Sequence, residues 1–179
     1  MKTTEVMPVG VVVERREIDN SWQDYEWQPV AVFPGAPEVD DWRVIEEGDG
    51  WIRFHAATLP LELHRGETEA YKVNLSYDPP GVYVVLRDKF EDEDEDDHEV
   101  RPFLATVSPY EAQDYLDAGD DIIERVPMPD GMIAWIQAFI DQHHVDEPFH
   151  KRKLIPTDKE TLARGKSSRR RGNGNGRDG

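Results

Sequence analysis

Between Val9 and Val107 the chain passes through a series of β-branched and aromatic segments, and all but one of the links joining them are shorter than ten residues. This spacing restricts the fold more than any other feature. A parallel pair of strands needs a crossover of about a dozen residues or more, whereas antiparallel neighbours need only a turn. Short links therefore imply antiparallel sheets.

The segments read as strands one by one. Val9–Arg16 (VGVVVERR) and Tyr25–Phe33 (YEWQPVAVF) form a pair around the polar stretch EIDNSWQD, because β-branched and aromatic side chains fit a pleated surface. Pro29 has no N–H to donate, so it marks an edge or a bulge. After the break at PGAP (34–37), Trp42–Ile45 and Trp51–His55 flank Asp49-Gly50, a tight-turn dipeptide, and read as a hairpin. Leu59, Leu61 and Leu63 alternate with Glu62 and His64, and Arg65-Gly66 reads as the next turn. Ala70, Val73, Leu75 and Tyr77 continue as a strand whose broken phase implies a bulge. DPPG (78–81) is a turn, Val82–Leu86 a buried strand, and Arg101–Val107 resumes the pattern.

The period then changes. Ser108-Pro109-Tyr110-Glu111 is a capping box with proline at the first helical position, and Gly119 supplies the stop. A second helix starts near Pro129, where Met132, Ile133, Trp135, Ile136, Phe139 and Ile140 form a wide apolar stripe expected to lie across the sheet. The predicted class is α+β: a mostly antiparallel β-sandwich or partly open barrel of seven or eight short strands, capped by two C-terminal helices. It is predicted as one domain over 1–148, followed by a tail over 149–179 that is basic, poor in apolar residues and expected to be disordered.

Charge is divided between these parts. The net formal charge is −17, yet residues from 150 onward hold ten Lys/Arg against three acids, leaving eleven bases and 35 acids in the first 149 residues. A body carrying about −24 repels nucleic acid, while the tail suits anionic surfaces, including the body itself. Nucleic acid is therefore disfavoured as a partner of the domain. The N-terminal apolar run is too short for a signal-peptide core or a membrane span, so a cytoplasmic protein with no membrane partner is expected.

Several chemistries are excluded. The absence of cysteine removes disulfides, thiolate metal sites and cysteine nucleophiles. There is no GxSxG, phosphate loop or GxGxxG, and no cofactor is implied. The run FEDEDEDDHEV (90–100) places eight carboxylates in eleven positions, but lacks the glycine and terminal glutamate of a calcium loop. It reads as a solvated hairpin loop over 91–99 whose repulsion keeps the hairpin from pairing with other chains. HHVDEPFH (143–150) matches no zinc spacing. No metal site is predicted.

Two groups remain as candidate sites. Trp22, Tyr25 and Trp27, interleaved with Asp24, Glu26 and Gln28, have the composition of an aromatic partner-binding face with a polar rim. His55, His64 and Arg65 are the alternative, as a small-molecule or catalytic pocket at the mouth of a barrel.

The segments VGVVVERR, YEWQPVAVFPG, FHAATLPLELHRGETEAYKVNL, PPGVYVVLR and HHVDEPFHKRK together resemble a small bacterial family of unknown function associated with gene clusters for molybdenum-dependent formate dehydrogenases. Some of its members carry the label of a molybdopterin-guanine dinucleotide biosynthesis protein. The resemblance implies a cytoplasmic helper whose protein partner is a formate dehydrogenase subunit or maturation factor, and it carries over no catalytic residues. The biosynthesis label conflicts with the chain, since nucleotidyl transfer calls for a glycine-rich phosphate loop in a doubly wound fold.

Overall fold

The computed structural model describes residues 3–88 and 98–145; the acidic positions 91–97 and the segment from 146 onward, with the basic tail, lie outside the described residues. Residues Met1–His144 group as one unit by their contacts. Its elements are β1 (Thr4–Glu17), β2 (Tyr25–Pro34), β3 (Arg43–Gly48), β4 (Trp51–His64), a single 3₁₀ turn (Arg65–Glu67), α1 (Thr68–Leu75), β5 (Gly81–Asp88), β6 (Val100–Thr106), α2 (Pro109–Ala118), β7 (Ile122–Pro127) and α3 (Asp130–His143).

The strands form two sheets, ordered β2-β1-β4-β3 and β6-β5-β7. Every pairing is antiparallel, as the short links require, and the sheets do not join into a closed barrel. Pro29 lies on the edge strand β2, where Val12 faces Ala31 but Val13 faces Pro29, so Val30 is bulged out. Both devices allowed for a strand proline are present at once. The N-cap half of the capping box forms, the Glu111 N–H donating to Ser108 Oγ at 3.2 Å, while the Ser108 N–H goes to Thr106 Oγ1 rather than to the Glu111 carboxylate; Gly119 takes a left-handed φ of 80° after α2.

Three expectations are corrected. The stretch from Ala70 to Tyr77 is not a bulged strand; Thr68–Leu75 is α1. Its buried residues Thr68, Ala70, Tyr71 and Asn74 are spaced for one helical face, and Asn74 is the reason the helix sits where it does. The Asn74 amide donates to the carbonyls of Gly81 and Val107 at 2.7 and 2.8 Å and accepts the Gly81 N–H at 3.0 Å. Second, the runs on either side of Ala56 are one 14-residue strand, and β1 is equally long, so the strands are not uniformly short. Third, Ile122–Pro127, which reads in sequence as a link between helices, is β7 and pairs with β5 from Gly81 to Leu86.

A single core lies between the layers. Val9, Val11 and Val13 of β1, Leu61 and Leu63 of β4, and Val82, Val84 and Leu86 of β5 meet Met132, Ile136 and Phe139 of α3, all nearly inaccessible to water. Each such side chain contributes about 1.5–3 kcal/mol relative to exposure. The apolar stripe of α3 is thus buried as expected, and Trp135 Nε1 donates to Glu5 Oε1 of β1 at 3.3 Å. Among the described residues no helix is long and apolar enough to cross a membrane.

Candidate functional site

The three aromatic candidates separate on folding. Trp27 is 4% exposed and belongs to the core, whereas Trp22, in the loop before β2, is 84% exposed. Trp27 meets Tyr25, Trp42 and His98 edge-on, with ring centroids 6.3, 5.6 and 5.8 Å apart. Its indole N–H donates to Glu99 Oε2 at 3.3 Å, tying β2 to the residue that precedes β6. Tyr25 is half-buried under the Arg15 guanidinium, 4.3 Å from its ring centroid. A continuous exposed platform of all three does not form.

His98, the last residue of the acidic stretch before Glu99, is held in an aromatic slot. Its ring stacks on Trp42 at 4.0 Å with an interplanar angle of 12° and meets Phe54 edge-on at 5.3 Å. Sequence alone does not reveal this slot, because Trp42, Phe54 and His98 come from three distant segments. The only hint of it in sequence is that four of the five tryptophans, Trp22, Trp27, Trp42 and Trp51, fall in the first third of the chain.

A cleft of about 470 Å³ opens between the two sheets, lined in part by the loop that carries Trp22. Glu26 of β2, Asp88 at the end of β5, Glu99 and Glu124 of β7 line it with carboxylates; Asn20, Gln23 and Gln28 add amides, and Ile18, Trp27, Val100 and Ile122 form its apolar walls. Among the described residues no Lys or Arg lines it. Asp88 also lines a second cleft of about 590 Å³ together with Arg87, Arg101, Asp114, Tyr115, Asp120 and Asp121. There Arg87 is committed within the fold: its Nε and Nη2 donate to both oxygens of Asp121 at 3.0 and 3.1 Å, and it lies 3.5 Å over the Phe103 ring. That fork holds the guanidinium still more firmly protonated.

The alternative pocket is not assembled. His55 and His64 lie on the same strand nine residues apart, which at about 3.3 Å per residue places them roughly 30 Å apart. His55 is buried; its Nε2 meets Thr58 Oγ1 at 3.0 Å, and because that hydroxyl donates to the Pro37 carbonyl, Nε2 is the donor. Burial lowers its pKa, and Arg43 adds to the effect. His64 lies 3.3 Å from Glu62 and 3.4 Å from Thr4 Oγ1, while Arg65 opens the 3₁₀ turn. Near His64 the backbone N–H of that residue donates to the Tyr71 hydroxyl, which donates to Glu67. Burial first, then the nearby Glu67, raises the pKa of Glu111; burial likewise raises that of Tyr71.

Of the histidine cluster, His143 is buried against Phe139 at 4.5 Å and His144 shares a hydrogen bond with Thr68 at 2.9 Å, while positions 146–150 lie outside the described residues. Among the described residues no group of three or more histidine or carboxylate side chains is arranged to hold a metal. One further ion network was not foreseen: Glu14 is buried on β1 between Arg53 and Arg16, at 2.9 and 3.0 Å. Burial pushes its pKa up, but the hydrogen bonds from the two arginines outweigh this and hold the carboxyl below its usual range.

Fold and site thus define a mostly antiparallel α+β domain whose open features include an acidic cleft and an exposed tryptophan in the loop that helps to line it. The chain belongs to the family described as Protein of unknown function (DUF3305), whose model matches residues 8–153. No match is found among curated proteins or among solved structures.

Proposed function

We propose that this protein is a non-catalytic adaptor acting by protein–protein binding, with a formate dehydrogenase subunit or one of that enzyme's maturation factors as its partner. The partner is drawn from the resemblance of the five segments quoted above. The observation that carries the mode of action is Trp22, a large indole 84% exposed in the loop whose Asn20 and Gln23 line a cleft. Interface energy concentrates in a few aromatic anchors beside a groove, tryptophan foremost among them. Family membership and the separation of His55 from His64 give no support to a reaction.

The test uses Trp22→Ala, because Trp27→Ala would damage the core. Tagged wild-type and variant chains are expressed at equal levels in cells that make formate dehydrogenase, and the enzyme recovered with each is measured. Recovery should fall at least severalfold for Trp22→Ala; recovery equal to wild type contradicts the reading.

A further inference from the structure

Resting on that adaptor reading, we infer that the segment seated in the cleft beside Trp22 is a basic stretch of the partner's chain, with arginine or lysine side chains entering between the sheets. The inference joins three observations: a formed cavity, the chemistry of its walls, and an exposed indole in the loop that lines it.

The cavity of about 470 Å³ falls in the range of sites that enclose a ligand group, roughly 300–1,000 Å³. Its charged groups come from four separate stretches of chain, at Glu26, Asp88, Glu99 and Glu124, and both sheets contribute. Among the described residues none of the four takes part in an ion pair. The Trp27 indole N–H occupies Oε2 of Glu99 and so orients that carboxylate with Oε1 still able to accept. Four acceptors, with no basic residue among the described residues of the lining, favour a multiply cationic occupant.

The apolar walls narrow the choice. Ile18, Val100 and Ile122 offer surface that a hydrated metal ion does not use, whereas a lysine or arginine packs its methylene stem on such a wall and sends its charge to the rim. The amides of Asn20 and Gln23 each donate and accept, which suits the alternating N–H and C=O of an extended backbone. Trp22 lies between them in the chain, its backbone N–H donating to Asn20 Oδ1 at 2.9 Å, and its exposed indole offers a face on which a guanidinium can stack. The net −24 of the first 149 residues draws such a segment in before contact.

The experiment measures fluorescence anisotropy of a labelled nine-residue peptide that alternates arginine with alanine, with a glutamine-for-arginine peptide as its neutral counterpart, on the full chain. The cleft variant is Glu26→Gln/Asp88→Asn/Glu124→Gln. The control, Glu38→Gln/Asp40→Asn/Glu47→Gln, removes the same charge from exposed positions outside the cleft. The cleft variant should weaken arginine-peptide binding about tenfold, because its three carboxylates line one cavity, and the control about twofold, since a solitary exposed pair contributes only a fraction of a kcal/mol. Trp22→Ala should weaken it severalfold. Thermal melts verify folding, and if the triple variant fails to fold, Glu124→Gln alone should still weaken binding more than any single control change.

Equal losses from the two triple variants, or equal binding of both peptides, would overturn the inference in favour of diffuse attraction. Displacement of the peptide by spermine at the peptide's own concentration would overturn it in favour of a small polycation. Enzyme capture separates this inference from the adaptor reading. Capture lost with Trp22→Ala but kept with the cleft variant sinks the cleft and leaves the adaptor. Peptide binding as expected with undiminished capture by Trp22→Ala does the reverse.

Discussion

Replacing Trp27 and Trp22 by alanine in turn should give opposite results, although both are tryptophans five residues apart. Trp27 is 4% exposed, contacts three other rings and donates its N–H to Glu99. Removing a buried indole costs about 3–5 kcal/mol, combining lost transfer energy with the cavity left behind. Edge-on ring pairs are worth about 0.5–1.5 kcal/mol beyond area, so three of them place Trp27 toward the upper end. For a domain of this size the melting temperature should fall by roughly 10–20 °C. Trp22, by contrast, is 84% exposed and makes only a backbone hydrogen bond, so Trp22→Ala should stay within about 0.5 kcal/mol of wild type. Urea unfolding followed by far-ultraviolet circular dichroism reads both. A loss below about 1 kcal/mol for Trp27→Ala would refute the placement of that ring in a packed core.

Three further outcomes follow from the same geometry. Asn74→Leu should lower stability by about 2–4 kcal/mol in a urea melt despite its similar volume, because the Gly81 and Val107 backbone groups lose buried partners; an unchanged midpoint would mean these bonds do not hold α1 to β5. His55 has a folded pKa below its ordinary 6.5, so the unfolded chain takes up a proton that the folded state refuses, and stability should decline as pH falls below about 6.5. The slope of urea midpoint against pH between 7.5 and 5 should flatten in His55→Gln, and an identical slope would count against the burial argument. Glu111 has the opposite linkage for a carboxyl: its folded pKa is raised, so ionisation above the ordinary 4.5 costs stability, and Glu111→Gln should melt higher than wild type at pH 7 but not at pH 4. A lower melt at pH 7 would contradict that sign.

What was legible in the sequence is what local chemistry decides. Link length set the antiparallel pairing, Pro29 set an edge and a bulge, and Ser108 with Glu111 and Gly119 bounded α2. What was not legible depends on partners far along the chain. The stretch from Thr68 to Leu75 lacks a strong periodic stripe of either kind, and Asn74, whose hydrogen bonds reach Val107 33 residues on, decides in favour of a helix. Ile122–Pro127 is too short to signal a strand until β5 offers its free edge. The site follows the same rule. Composition picked out Trp22, Tyr25 and Trp27 together, but which indole faces water is decided by Trp42, by His98 and by Glu99, 72 residues from Trp27. The acidic cleft could not be read from sequence, because its carboxylates come from four stretches that only the packing of two sheets brings together.

The most direct test of the account is amide hydrogen exchange on the full chain, alone and with purified formate dehydrogenase. The account predicts slowed exchange on binding over residues 18–28 and 122–124, the loop and strands that border the cleft. Protection confined to the opposite edge of the larger sheet, at β3, or no change at either place, would contradict it.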